Sequence, residues 1–191
     1  MSVDTLKSVI SNRGSLARTN NFVVQLPTFE GASSTDMNVL CTKATMPGKQ
    51  VLTLDRRIGG EFKKVAYGYA VGDTSLSFLL TNDYAAKKYF DNWKESTITE
   101  SNATTKYHEQ YTRDISIYQL QHSRSIRSVG QTTHRMNAVY GVNLIEAFPT
   151  TLSEIAFDNA ADGTIEVTVQ LSYTNFKIIP ETELTGKTFT L

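Results

Sequence analysis

Side chains that could carry covalent or metal chemistry are few in this 191-residue chain, which has one cysteine and three histidines. Cys41 lies within an expected strand, between Leu40 and Thr42, with no histidine near it in the sequence, whereas a thiolate nucleophile needs a neighbouring base and an open, electropositive site. The histidines, His108, His122 and His134, do not have the short spacings that zinc sites favour. We therefore expect Cys41 to be a buried structural residue and the histidines to lie at the surface.

Two glycine-containing segments match ion-binding or phosphate-binding loops only in part. In the segment that begins at Asp158, Asp158, Asp162 and Gly163 occupy the first, fifth and sixth positions of a calcium loop. Ala160 and Val169 stand at its third and twelfth positions, so two of the main ligands are absent. Asp-Gly between alternating strands is instead a hairpin signal. Residues 59–64, "GGEFKK", lack the Gly-Lys-Ser/Thr ending of a phosphate loop. The sequence therefore predicts no cofactor, no metal site and no enzyme.

The charge balance limits the kinds of partner that the chain is expected to bind. Lysine and arginine total 19, as do aspartate and glutamate, so the formal net charge is zero. A protein that grips DNA through its phosphates needs a surplus of basic residues, so a dedicated DNA binder is not expected. One cysteine cannot form an internal disulfide, which favours a reducing compartment. We find no signal-peptide pattern and no membrane anchor, and expect synthesis in the cytosol.

Hydrophobic alternation predicts a single, mainly β domain, an antiparallel β-sandwich or barrel with one flanking α-helix. A short helix is expected over residues 4–11, a polar loop over 30–38, and an irregular arm or loop over 59–72. A long hairpin is expected over residues 154–178, with its turn at Asp162-Gly163. The other expected strands are residues 21–27, 39–47, 50–58, 74–80, 114–121 and 137–149.

One segment, residues 82–97, has a convincing helical pattern. Asn82 or Asp83 could cap its first turn. Its large apolar residues recur at helical spacing, which predicts a stripe that packs on the sheet. The members of that stripe are Ala86, Tyr89, Phe90 and Trp93.

Several short motifs, taken in order, resemble the tail tube protein family of T-even-like contractile-tailed bacteriophages. The first is Ala-Arg-x-Asn-x-Phe, and the second is Cys-x-Lys-Ala-Thr-x-Pro. A basic glycine-containing stretch, a strand, the aromatic helix and a final long strand pattern follow. The six motifs lie at residues 17–22, 41–47, 55–68, 74–83, 89–93 and 148–173. The resemblance covers roughly residues 15–176.

This resemblance implies hexameric rings that stack into a tube with a shared inner β-barrel. If each subunit gave about four strands, about 24 strands would enclose a barrel about 48 Å across. Double-stranded DNA would pass through it without specific binding, on its way into the host. The implied partners are other copies of the chain, the tail sheath protein, and baseplate and tail-terminator proteins. The implied location is the virion tail, assembled in the host cytoplasm.

The resemblance also suggests the organisation of the chain and a contact arm. Residues 1–191 would form one tail-tube-like domain, with an N-terminal segment over 1–16 and a C-terminal extension over 177–191. Residues 49–72 would be a flexible arm that reaches the adjacent ring. Its expected contact residues are Arg56, Arg57, Gly59, Gly60, Lys63 and Lys64.

Three alternatives remain open at this stage. The arm could be a solvated hairpin with no partner. The excursion at residues 122–134 and the C-terminal extension could mark a specialised ring, such as a tube initiator or terminator. A different class of protein, a monomeric β-barrel that binds a ligand or nucleic acid, would give a compact pocket and a monomer in solution.

Overall fold

The computed structural model describes residues 2–12, 16–28, 34–99, 104–121, 126–128, 131–133, 135–160 and 163–190. The helices within these residues are α1 (Val3–Asn12), α2 (Ser34–Val39), α3 (Ala85–Thr97), α4 (His108–Tyr111) and α5 (Glu181–Leu184). The strands are β1 (Phe22–Gln25), β2 (Cys41–Ala44), β3 (Lys49–Ile58), β4 (Glu61–Val71), β5 (Thr74–Leu79), β6 (Ile98–Thr99), β7 (Thr104–Thr105), β8 (Arg113–Leu120), β9 (Ile126–Ser128), β10 (Gln131–Thr133), β11 (Arg135–Leu152), β12 (Glu166–Ser172), β13 (Asn175–Ile178) and β14 (Thr188–Thr190). None of the described helices is long and apolar enough to span a membrane.

An eight-stranded antiparallel sheet organises the fold, which confirms the mainly β prediction. Its strand order is β1-β8-β11-β12-β5-β2, and β13 and β14 also pair with β11. Strand β11 is 18 residues long, so different parts of it pair with different strands. Its first part pairs with β8, β13 and β14, and its last residues pair with β12.

The main hydrophobic core lies between this sheet and α3. Strand β12 alternates as the sequence predicts, with Val167, Val169 and Leu171 all buried. Leu76 and Phe78 of β5 are fully buried beside them. Burial of large aliphatic and aromatic side chains contributes about 1.5–3 kcal/mol each, so these alternating positions hold the strands together.

Helix α3 covers the core with its predicted stripe, in which Ala86, Tyr89, Phe90 and Trp93 are all buried. The Trp93 indole Nε1–H donates a hydrogen bond to the Tyr111 carbonyl at 2.7 Å. The Tyr89 hydroxyl donates to the Pro27 carbonyl at 2.6 Å. Their polar atoms are thus paired, as buried tyrosine and tryptophan require.

The predicted cap of α3 is wrong. The N-cap residue is Tyr84, with a left-handed φ of 55° and no side-chain capping bond. Asp83 instead accepts hydrogen bonds from the Thr81 hydroxyl and from the Ala85 amide, the latter at 3.4 Å. These bonds hold the turn that precedes the helix, and they hold the pKa of Asp83 below its ordinary value.

A second, smaller core lies on the other side of β8, where the C-terminal segment packs. Tyr118 and Leu120 of β8 are buried there with Ile179 and Leu184 of the C-terminal segment. Lys187 donates a hydrogen bond to the Tyr118 hydroxyl at 2.6 Å. The C-terminal residues, expected to extend beyond the barrel, are therefore part of the folded body through residue 190.

Three further predictions of local structure are corrected by the fold. Helix α2 occupies part of the segment expected to be a polar loop, and its Met37 is buried in the main core. Residues 61–71 form the regular strand β4 rather than an irregular arm. The hairpin expected over residues 154–178 is wrong, because β12 pairs with β11 through Leu152 and Val169. Asp162 lies outside the described residues.

Several other local predictions agree with the described structure. The predicted strands over residues 21–27, 39–47 and 74–80 contain β1, β2 and β5. Those over residues 50–58 and 114–121 match β3 and β8 to within one residue at each end, and the predicted N-terminal helix is α1. Within the excursion at 122–134, the described residues form the short hairpin β9–β10. His108 is exposed, as expected, whereas His122 and His134 lie outside the described residues.

Candidate assembly surface

The most distinctive surface feature is a long hairpin made by β3 and β4, here called the arm (residues 49–71). The two strands pair antiparallel from Lys49 and Val71 at the base to Ile58 and Glu61 at the tip. Gly59 adopts a φ of 68° in the two-residue turn, a left-handed conformation that glycine accepts without steric cost. The turn chemistry and the cross-strand pairing together explain why this exposed segment forms strands.

The base of the arm is fixed to the body of the protein. The Tyr173 hydroxyl donates a hydrogen bond to the Gly72 carbonyl at 2.6 Å. The Asn175 side-chain amide donates to the Tyr69 hydroxyl at 3.3 Å. The Lys49 ammonium lies 4.9 Å from the Tyr69 ring centre and 4.8 Å from that of Phe176. These contacts set where the arm leaves the sheet.

Beyond its base, the arm exposes apolar side chains. Extensive packing among the described elements is confined to its own two strands. Six large apolar residues of the arm are exposed: Val51, Leu54, Phe62, Val65, Tyr67 and Tyr69. A two-stranded hairpin is at best marginally stable in water, and grouped exposed apolar residues mark interaction sites. The arm therefore has the properties of a surface that is covered in an assembly.

The charges of the arm also favour an external partner. Arg56 pairs directly with Lys63 in the cross-strand register, so two like charges share one face. Such a pair destabilises the isolated hairpin. The ion pairs among the described residues are Lys43–Glu166 and Lys87–Asp91, and neither involves the arm. An acidic partner surface would remove this repulsion.

The structure places the predicted contact residues in three groups. Arg56 and Lys63 share one face of the arm, and Gly59 and Gly60 form its turn. Arg57 and Lys64 lie on the opposite face, since they alternate with those neighbours along their strands. Sequence reasoning missed the exposed apolar residues, although in "FKKVAYGYAV" the large apolar residues from Val65 to Val71 recur at every second position, a pattern typical of a strand.

Cys41 does not have the environment of a nucleophile. It is partly buried and packs against the main core. Burial raises the pKa of its thiol to about 12, and the nearby Glu166 charge adds to the increase. The thiol is therefore protonated at neutral pH, where a reactive cysteine would be ionised.

Glu166 lies beside Cys41 in a small polar cluster that links β12 to β2. Its carboxylate accepts hydrogen bonds from the Thr42 hydroxyl and from the Lys43 ammonium, the latter at 2.9 Å. The Thr42 bond, followed by the Lys43 bond, holds the pKa of Glu166 below its ordinary value. Across the described ranges, no group of three or more His, Cys, Asp or Glu side chains could hold a metal ion.

Together, the fold and the arm define a class of protein. The class is an antiparallel β domain with a long hairpin that exposes apolar and like-charged side chains. The chain belongs to the phage tail tube protein family, whose model matches residues 17–179. A comparison with curated protein sequences finds no significant match.

Solved structures share this fold at low sequence identity. A chain of the cryo-EM structure of the anti-feeding prophage baseplate is 15% identical with a TM-score of 0.58, over 86% of this chain and 96% of that one. A chain from the sheath/tube terminator of an extracellular contractile injection system is 15% identical with a TM-score of 0.57, over 86% and 97%. A chain from the sheath-tube complex of such a system is 14% identical with a TM-score of 0.53, over 94% and 98%.

Proposed function

We propose that copies of this chain form hexameric rings, and that the rings stack into a tail tube through contacts made by the arm. The observation that carries the proposal is the arm itself, with apolar side chains exposed beyond its base. Its exposed apolar residues and its paired Arg56 and Lys63 gain stability when another copy covers them. Stacking of this kind is head-to-tail, which produces an open filament rather than a closed dimer.

The tube would conduct double-stranded DNA into the host without binding it specifically. A chain of zero net charge supports this role, because a strongly basic lumen would hold the duplex through its phosphates and slow its passage. We expect lumen-facing positions to avoid clustered lysine and arginine. A ring structure with a basic inner wall would contradict this part of the proposal.

The role is structural rather than enzymatic, and its setting is the virion tail after assembly in the host cytoplasm. The protonated Cys41 thiol gives no nucleophile for catalysis. The tail sheath protein and baseplate and terminator proteins are the further partners. The solved structures of similar fold come from a baseplate, a sheath/tube terminator and a sheath-tube complex, which supports these partners.

Charge reversal in the arm tests the proposal. In the Arg56→Glu/Arg57→Glu variant we expect an unchanged fold, because both residues are exposed, and a loss of tubes in negative-stain electron microscopy. Like-charge juxtaposition in an interface costs several kcal/mol, so the fraction of protein pelleted as tubes should fall by about tenfold or more.

The matched control is Lys94→Glu/Lys106→Glu, which changes net charge by the same amount at exposed positions outside the arm. It should form tubes as the unaltered protein does. Normal tubes from the arm variant would refute the contact role of the arm. An unaltered protein that stays monomeric at high concentration would refute the tube itself and favour the monomeric binding module.

A second candidate is a specialised ring that begins or ends the tube. Two observations favour it: residues 180–191 lie beyond the family match, and similar folds occur in a baseplate and a tube terminator. An initiator or terminator would form single rings and no long tubes when purified. Electron microscopy of the unaltered protein therefore separates the two candidates.

A further inference from the structure

Charge is strongly segregated along this chain. From Met136 to Phe176 the sequence contains five acidic residues and no lysine, arginine or histidine. Residues 49–64, which include the tip of the arm, contain five basic and two acidic residues, a net charge of +3. A chain of zero net charge thus carries two oppositely charged segments.

The described residues of the connection between β11 and β12, residues 153–160 and 163–165, are here called the acidic loop. Glu154 and Asp158 are exposed in it, and the Phe157 side chain is 76% exposed. Asp158 accepts a hydrogen bond from the Ala160 amide at 2.9 Å, which shapes the loop locally. The loop therefore presents an aromatic ring flanked by carboxylates.

A cavity of about 440 Å³ opens beside this ring. Ile155, Phe157 and Ile165 supply apolar lining, and Glu154 and Asp158 also border it. Such a cavity suits an apolar side chain that carries basic neighbours. Its apolar lining and its carboxylates are complementary to an aromatic residue that has basic neighbours.

The tip of the arm carries such a residue. Phe62 is 74% exposed and lies directly across the hairpin from Arg57. Lys63 and Lys64 follow it along β4. The tip therefore carries an exposed aromatic side chain with Arg57, Lys63 and Lys64 near it and one acidic neighbour, Glu61, so its polarity and its net positive charge complement the cavity.

The register of the sheet places these two surfaces at opposite ends of the molecule's central strands. Strand β5 pairs with β12 so that Thr74 faces Leu171 and Leu79 faces Glu166. The arm joins β5 at its Thr74 end, whereas the acidic loop joins β12 at the Glu166 end. The two ends are separated by about 17 Å of strand, at about 3.3 Å per residue. Copies displaced along the strand direction would bring the arm of one toward the acidic loop of the next.

We propose that the acidic loop is the receptor for the arm of a second copy in the adjacent ring, with Phe62 entering the cavity and the basic residues of the tip facing Glu154 and Asp158. This inference rests on the proposed contact role of the arm and adds the surface that it contacts. The contact is heterologous, since it joins two different surfaces of one chain. It therefore propagates along the tube.

A charge-swap experiment tests this pairing. The loop variant Glu154→Lys/Asp158→Lys should keep its fold and lose tubes, since its loop repels its own arm. The arm variant Arg56→Glu/Arg57→Glu should also fail alone. An equimolar mixture should form tubes again, because the acidic arm of one variant meets the basic loop of the other. Glu95→Lys/Glu109→Lys, at exposed positions outside the loop, is the charge-matched control.

The outcomes separate this inference from the tube proposal. If the unaltered protein forms no tubes, both are refuted. If it forms tubes and the loop variant does so equally well, the acidic loop is not the receptor and the role of the arm stands. If both variants fail and the mixture does not restore assembly, the two surfaces are not partners.

Cross-linking gives a second measurement that does not depend on charge. In a Cys41→Ser background, Phe62→Cys together with Phe157→Cys should give a ladder of disulfide-linked oligomers under mild oxidation of assembled protein. A disulfide needs Cβ atoms about 3.5–4.5 Å apart, so a ladder requires direct contact. Each single cysteine variant is a control that should give dimers at most. Monomers alone from the double variant would overturn the inference.

Discussion

Substitution of Gly141 by alanine tests how tightly the C-terminal segment is packed on the sheet. Gly141 is a buried residue of β11 that lies under Tyr118 and Ile179. A Cβ atom placed there would lie 2.9 Å and 3.1 Å from two carbons of the Tyr118 ring and 3.0 Å from Ile179 Cδ1. Ordinary contacts of a Cβ atom lie at 3.4–4 Å, so both neighbours would have to move.

The Tyr118 ring has little room to move. It is 1% exposed, its hydroxyl accepts a hydrogen bond from Lys187, and its ring lies 5.2 Å from that of Phe189. Overpacking of this kind costs about 1–3 kcal/mol. Replacing glycine by alanine also lowers the conformational entropy of the unfolded chain, which stabilises the folded state by about 0.4–1 kcal/mol. We therefore expect Gly141→Ala to lower the free energy of unfolding by about 1–2 kcal/mol, or the Tm by about 2–8 °C.

Gly68→Ala is the matched control, since Gly68 also lies in a strand but a Cβ atom there meets nothing within 4 Å. Gly68→Ala lowers the entropy of the unfolded chain in the same way but introduces no steric clash. Urea unfolding of dilute protein, below the concentration of assembly, gives both values with their m-values. A Gly141→Ala variant at least as stable as Gly68→Ala would refute the packing described for Tyr118.

Two further predictions concern buried groups. Trp93→Ala should lower the free energy of unfolding by about 3–5 kcal/mol. Trp93→Phe should lower it by about 1–3 kcal/mol, because it leaves the Tyr111 carbonyl without the indole donor. A Trp93→Phe variant as stable as the unaltered protein in urea unfolding would contradict the role of the indole N–H. Since burial raises the pKa of Cys41 from 9.0 to about 12, alkylation at pH 8 should be much slower in folded than in urea-unfolded protein. Equal alkylation rates in folded and unfolded protein would refute the raised pKa. The stabilisation that this raised pKa gives to the folded state is fully present below pH 9 and is lost as the pH rises toward 12.

The sequence predicted elements that bury one face against a single core. Strand β12 and helix α3 repeat their apolar residues with periods of two and 3.6, and the described burial follows those periods. Helix α2 is too short for any period to show. Its position depends on a distant contact, a 3.0 Å hydrogen bond from the Leu26 amide to the Asn38 side chain.

The errors arise where pairing is set by distant residues. Asp162-Gly163 has the local chemistry of a hairpin turn, but β12 finds its partner in β11, across the whole acidic loop. The second core has a similar origin, because Tyr118 is covered by Ile179 and Leu184, about 60 residues along the chain. The arm was expected as a contact surface, yet its apolar residues were not, because the glycines within residues 59–72 favoured an irregular segment over a strand.

The pairing of strand β11 affects how the protein unfolds locally. It carries residues of both hydrophobic clusters, including Leu144 in the main one and Ala138 in the smaller one, and it pairs with four other strands. Its amide hydrogens that bond to β8 can therefore exchange with solvent only when both clusters separate together. Detaching the C-terminal segment alone would free one edge of β11 and leave β8 in place on the other. The chain thus has a single cooperative unit at its centre, and partial unfolding is confined to the arm and the termini.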